Sequence, residues 1–150
     1  GEMIADLFVE SKKSFKAINC PTELNSSAID EFLLIFLVAA KANGISYFKR
    51  ISELNQKESP RLIWGSKILN KMGIRTVLTK DSIKIYGNPN LEIHKNIIIQ
   101  GFLKDHRVFM ACVVAALTFG GNWKIFDKDS INTSFPSFMS KIKSLGANIS

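Results

Sequence analysis

The sequence predicts a mixed α/β (α+β) protein assembled from repeated βαβαββ units, and three observations carry that prediction. Short strand-like runs alternate with helix-length apolar runs, glycine follows each helical run, and the second half of the chain repeats the order of the first. Residues 5–10 (ADLFVE) and 15–20 (FKAINC) read as strands. Residues 29–43 read as a helix, because the run from Phe32 to Ala40 is wholly apolar and Gly44 offers a C-terminal stop. A strand over 45–50 follows, then a helix over 60–72 stopped by Gly73. Residues 74–79 and 82–86 read as two strands joined at a Lys80-Asp81 hairpin tip. Gly87-Asn88-Pro89-Asn90 reads as a break between units. Beyond it come a strand over 96–100, a helix over 106–119 stopped by Gly120 and Gly121, a strand over 123–126, and a helix over 136–145 stopped by Gly146.

The two sides of that break share a register. Val38-Ala39-Ala40 followed by Gly44 recurs as Val114-Ala115-Ala116 followed by Gly120, a shift of 76 residues. Pro60 and Leu62 fall on Pro136 and Phe138 at the same shift, and Lys67 and Leu69 on Lys143 and Leu145. The economical division is one complete βαβαββ unit over 1–90 and a second over 91–150 that lacks its final strand pair.

Composition narrows the function classes. A chain of 150 residues with 46% hydrophobic and 22% charged residues can bury one ordinary core and is not disordered. The net charge of +7 rests on lysines scattered through every segment, a basic solvated surface suited to small anions. Trp64, Trp123 and the phenylalanines are spaced like core residues, so no nucleic-acid partner is expected. Cys20 and Cys112 are isolated from each other and from both histidines, so neither a disulfide framework nor a metal site is expected. The apolar runs over 32–40 and 108–119 are too short to cross a bilayer, and GEMIADLFVE has no basic, apolar leader pattern. A cytoplasmic protein without a membrane partner is the expectation.

Ionisable residues gather at predicted helix mouths: Asp30, the group from Lys57 to Arg61, Asp105-His106-Arg107, and Thr133-Ser134. Helix N-termini carry unpaired N–H groups and partial positive charge, so helices stacked in parallel would turn these residues toward one anion-binding face. Glu58 and Arg61, three apart, share a side of the first turn. The arginine fork suits a carboxylate or phosphate and the glutamate a proton transfer, but a capping acid with a surface ion pair fits this spacing better when it is taken alone. Asp105-His106-Arg107 opens a helix that is otherwise almost wholly apolar, where either an anion site or a structural ion-pair network could hold the charges. His106 alone reads as a structural histidine. Asp30 reads as an N-cap worth about 1 kcal/mol, and as a catalytic candidate if the other groups share its face. His94 receives no role.

Taken together, these stretches resemble the C-terminal part of the 5-enolpyruvylshikimate-3-phosphate synthase (3-phosphoshikimate 1-carboxyvinyltransferase) family. The matching blocks are GEMIADLFVES at the start, IDEF at 29–32, QKESPR at 56–61, KDHRVFMA at 104–111 and SFPSF at 134–138. Their shared order and spacing carry the likeness. The sister family acting on UDP-N-acetylglucosamine shares the repeat architecture, but the KES.R and DHR blocks are those of the shikimate enzyme.

The resemblance implies the enolpyruvyl transferase (inside-out α/β barrel) fold, with this chain corresponding to about the last third of a two-domain enzyme. It implies transfer of the enolpyruvyl group of phosphoenolpyruvate to the 5-hydroxyl of shikimate 3-phosphate, without metal or organic cofactor. It implies that Asp30 meets the reacting hydroxyl as base and that Glu58 exchanges a proton with the phosphoenolpyruvate methylene. Lys57 would sit near the hydroxyl and phosphate, while Arg61 and Arg107 clamp the phosphoenolpyruvate anion beside His106. The chain departs from the family at Pro60, where an acid usually precedes the arginine, and at Thr133, where a lysine usually contacts phosphate. The N-terminal portion of such an enzyme supplies most shikimate 3-phosphate contacts, so the chain alone is expected to be inactive. The alternative expectation is a non-catalytic relative that keeps the fold as a binding or assembly module.

Overall fold

A computed structural model describes residues 4–6, 8–10, 12 and 14–149 of the chain. Strand β1 (Phe15–Lys16) leads through a short helix α1 (Asn25–Ala28) into α2 (Phe32–Lys41), which turns directly into β2 (Ala42–Phe48). Helix α3 (Arg61–Met72) follows, then the hairpin β3 (Thr76–Leu78) and β4 (Ile83–Gly87). The order begins again with β5 (Asn96–Ile99), α4 (His106–Phe119), β6 (Asn122–Ile125) and α5 (Phe138–Ser144). The four strands of the first half form one sheet in the order β1-β2-β4-β3, with β1 parallel to β2 and both β2 and β3 antiparallel to β4. In the second half β5 and β6 pair in parallel, Asn96 opposite Asn122.

The sheets and helices α2, α3 and α4 enclose one continuous apolar cluster. Phe32, Phe36 and Phe48, each no more than 1% exposed, interlock edge-on and tilted at centroid distances of 5.2–6.0 Å. Trp64 of α3 meets Phe102, beyond β5, edge to face at 5.9 Å. Burial of each such ring stabilises by about 1.5–3 kcal/mol, enough to fix how the helices stand on the sheet. Phe15, Leu34, Val38 and Leu117 leave part of the α2 and α4 surface apolar and open.

Three expectations about the first half are not met in full. The strand over 5–10 does not form among its described residues, and Leu7 lies outside them. Phe8 and Val9 are 92% and 89% exposed, because apolar sequence makes a strand only where a neighbouring edge supplies hydrogen bonds. The expected helix over 29–43 ends at Lys41, and Gly44 sits within β2 instead of capping it. The chain 48 residues further on provides the cap: Asn88 N–H donates to the Ala40 carbonyl at 2.8 Å, and the Lys41 ammonium reaches the Pro89 and Leu91 carbonyls. That approach requires Gly87, where a Cβ would lie 2.2 Å from the Ala42 carbonyl oxygen. The other helix ends follow the pattern more closely, with Gly73 left-handed at φ 96° after α3. The strand expected over 15–20 shortens to β1 and one bridge from Asn19 to Tyr47.

Candidate functional site

Three segments far apart in sequence bring their charged residues to the same ends of α2, α3 and α4. The centre is Arg61, the first residue of α3 and 2% exposed. Its Nε donates to Asp105 Oδ2 at 2.9 Å and its Nη2 reaches Asp105 Oδ1 at 3.3 Å. Its Nη1 donates to Asp30 Oδ1 at 2.9 Å, and Nη2 also donates to Glu58. Arg107 stands alongside, its Nη1 donating to Glu31 Oε1 at 2.6 Å and to the Asp30 carbonyl at 3.0 Å, its Nη2 3.8 Å from Asp30 Oδ2. Lys57 lies 3.7 Å from Asp30 and 3.5 Å from Glu53.

Asp105 holds this assembly. It is completely buried and serves as the N-cap of α4, accepting from the backbone N–H groups of Arg107 and Val108. It also accepts from the N–H and hydroxyl of Ser59, at 3.2 and 2.9 Å. Burial works against its charge, but the Arg61 hydrogen bond and charge, with Ser59 and the Arg107 N–H, hold its pKa below the usual aspartate value. Burial likewise opposes the Arg61 cation, and Asp105, then Glu58 and Asp30, outweigh it and raise its pKa.

The depressed Asp105 pKa makes stability depend on pH with a definite sign. Its stabilising contribution is fully present above the unfolded carboxyl pKa of about 3.9 and is lost as pH falls through the lower folded value. Thermal unfolding followed by circular dichroism is expected to show Asp105→Asn losing less stability than wild type between about pH 4 and pH 2.

The structure brings Asp30, Lys57, Glu58, Arg61 and Arg107 together, while His106, half-buried on α4, makes no hydrogen bond or ion pair among the described residues. Thr133, exposed at the end of a 3₁₀ turn, adds no charge. Neither Asp30 nor Glu58 is a helix cap. The position before α2 is Glu31, which has no side-chain cap bond, and the Glu58 carboxylate turns to Arg61. Sequence reasoning placed Asp105 at a helix mouth, in an anion site or an ion-pair network, but gave no role to Glu31, Glu53 or Ser59, which carry no local signal. The cluster sets three cations against five carboxylates, so the cations of the expected anion-binding face are already paired with acids of its own. Beside it, a cavity of about 140 Å³ runs between Asp30, Arg107, Met110, Phe135 and Phe138. The described residues include no group of three or more ligating side chains that could hold a metal ion, and no helix long and apolar enough to cross a membrane.

Two half-exposed acids on opposite tips of one buried guanidinium are placed for proton transfer next to a cation that can bind an anion. The chain as a whole has relatives. The family model described as EPSP synthase (3-phosphoshikimate 1-carboxyvinyltransferase) matches residues 5–142. The chain belongs to the EPSP synthase family. The 3-phosphoshikimate 1-carboxyvinyltransferase of Ruthia magnifica subsp. Calyptogena magnifica is 36% identical over 149 residues, 99% of this chain and 33% of the relative. That of Zymomonas mobilis subsp. mobilis is 37% identical over 150 residues, 98% of this chain and 33% of the relative. Among solved structures, an EPSP synthase from Acinetobacter baumannii superposes with a TM-score of 0.78 at 31% identity, covering 87% of this chain and 30% of its own. The enolpyruvyl transferase NikO from Streptomyces tendae shares the fold at a TM-score of 0.56 and 18% identity, over 79% of this chain and 25% of its own. The expected enolpyruvyl transferase fold is therefore the observed one, and this EPSP synthase family chain spans about a third of the length of the curated relatives it matches.

Proposed function

We propose that this chain is the C-terminal part of a 3-phosphoshikimate 1-carboxyvinyltransferase, which moves the enolpyruvyl group of phosphoenolpyruvate to the 5-hydroxyl of shikimate 3-phosphate and releases phosphate. The observation that carries the reading is the convergence of Asp30, Lys57, Glu58, Arg61 and Arg107 from three segments into one cluster, Glu58 and Asp30 on the Arg61 guanidinium and Lys57 and Arg107 on Asp30. Residues 1–90 and 91–150 act as successive repeat units of one domain, and the N-terminal portion of the same enzyme supplies the rest of the substrate contacts. Asp30 takes the proton of the attacking hydroxyl while Glu58 protonates the phosphoenolpyruvate methylene, giving a tetrahedral intermediate. Glu58 then recovers a proton from the new methyl group as the carbon–oxygen bond to phosphate breaks. Lys57, Arg61 and Arg107, with His106 beside them, stabilise the anionic charge through this sequence. No cofactor enters these steps.

The 150-residue chain alone is expected to show no turnover, and the full-length protein to release phosphate only when both substrates are present. In the full-length protein Glu58→Ala is expected to lower turnover by about 10²-fold or more, with substrate binding by calorimetry retained. One observation favours a non-catalytic relative instead: the cluster holds more carboxylates than cations, and exposed Thr133 adds no positive charge. Absence of phosphate release from the full-length wild type, with Thr133→Lys failing to restore it, would select that reading.

A further inference from the structure

Arg61 is usable only if its fork is aimed, because a guanidinium is planar and binds a carboxylate or phosphate best along one edge. One edge is already taken. Nε and Nη2 face the two oxygens of Asp105, at 2.9 and 3.3 Å, in the completely buried part of the cluster. The opposite tips, Nη1 and Nη2, face Asp30 and Glu58, whose side chains are 44% and 53% exposed. An entering anion can therefore reach Arg61 from the Asp30 and Glu58 side, while the Asp105 side stays closed. The same carboxylate caps α4 through the N–H of Arg107 and grips Ser59, two residues before Arg61. One side chain thus sets the angle of Arg61 and its distance from Arg107, which comes from the other half of the chain.

We propose that Asp105 is the positioning residue of the anion clamp: it locks one edge of Arg61 and, through the α4 cap, sets where Arg107 stands relative to it. The inference rests on the reaction proposed above. Asp105 itself touches no substrate, since all its contacts are within the protein and it has no exposed surface. Its effect is on how well the phosphoenolpyruvate anion is held, and the protons are moved by other groups.

The test uses Asp105→Asn and Asp105→Ser in the full-length protein, since both keep an oxygen able to cap α4 and neither keeps the charged two-oxygen grip on Arg61. Circular dichroism first establishes that each variant is folded. The expected result is a KM for phosphoenolpyruvate raised about tenfold or more with kcat changed less than about threefold. A second reading does not need turnover: the Arg61 Nε–H signal in nitrogen-15 NMR is expected to be slow to exchange in wild type and fast in both variants. An unchanged KM, or kcat falling in step with kcat/KM, in folded variants of an active wild type overturns the inference and leaves the proposed reaction standing. A wild type without turnover overturns the proposed reaction and with it the role given to Asp105, whatever the NMR signal shows.

Discussion

Asp105→Ala is expected to destabilise the chain by about 3–5 kcal/mol, the range for stranding a buried charge, and so to remove much of a stability of about 5–15 kcal/mol. The substitution leaves Arg61 2% exposed and opposed only by the partly solvated Asp30 and Glu58. It also removes the α4 cap and leaves the Ser59 hydroxyl and N–H without their acceptor. Urea unfolding followed by circular dichroism measures the loss. Removing both partners separates the stranded charge from the other losses: Arg61→Met with Asp105→Ser should be more stable than Asp105→Ala, because no unpaired guanidinium remains and the serine can still cap. A double variant no more stable than the single one would place the cost in Ser59, which loses its carboxylate acceptor in both.

Phe36→Ala is expected to cost about 3–5 kcal/mol by a different route. The ring is 1% exposed, lies 5.2 Å from Phe48 and 5.7 Å from Phe32, and packs so tightly on α3 that a Cβ on Gly65 would fall 2.7 Å from Phe36 Cδ2. With backbone on one side and two rings on the other, the site cannot collapse to fill the void. The same urea measurement reads this effect, and a loss below about 1.5 kcal/mol would mean that the α2 and α3 contact relaxes. Unlike Asp105→Ala, this substitution should leave the pH dependence of stability unchanged.

The helices were legible where local chemistry decides them. The apolar run of α4 and the α3 pattern closed by left-handed Gly73 appear in the structure at or within a residue of their expected bounds. The end of α2 was not legible, because the group that caps Ala40 is Asn88, and no local pattern reports a partner 48 residues away. The site divides in the same way. Asp30, Glu58, Arg61 and Arg107 stood out as charged residues at helix mouths, and the local Glu58 and Arg61 pair was readable from its spacing, but the pairing of Asp30 with Arg61 and Arg107 was not, since it arises only when α2, α3 and α4 meet. Ser59 looked like an ordinary residue before a proline, and its value lies in a carboxylate 46 residues on.

The long span of the site's contacts also bears on the order in which the molecule assembles. Pairing β1 with β2 closes a loop of about 27 residues, from Phe15 to Ala42, whereas the bond from Arg107 to the Asp30 carbonyl joins residues 77 apart. The larger loop costs about 0.9 kcal/mol more in chain entropy, and its closure yields hydrogen bonds only after both α2 and α4 exist. The ion-pair cluster is therefore expected to form after the folding barrier is crossed, so that weakening it speeds unfolding and leaves the folding rate nearly unchanged. A chain built this way acquires its hydrophobic frame first and its reactive chemistry last.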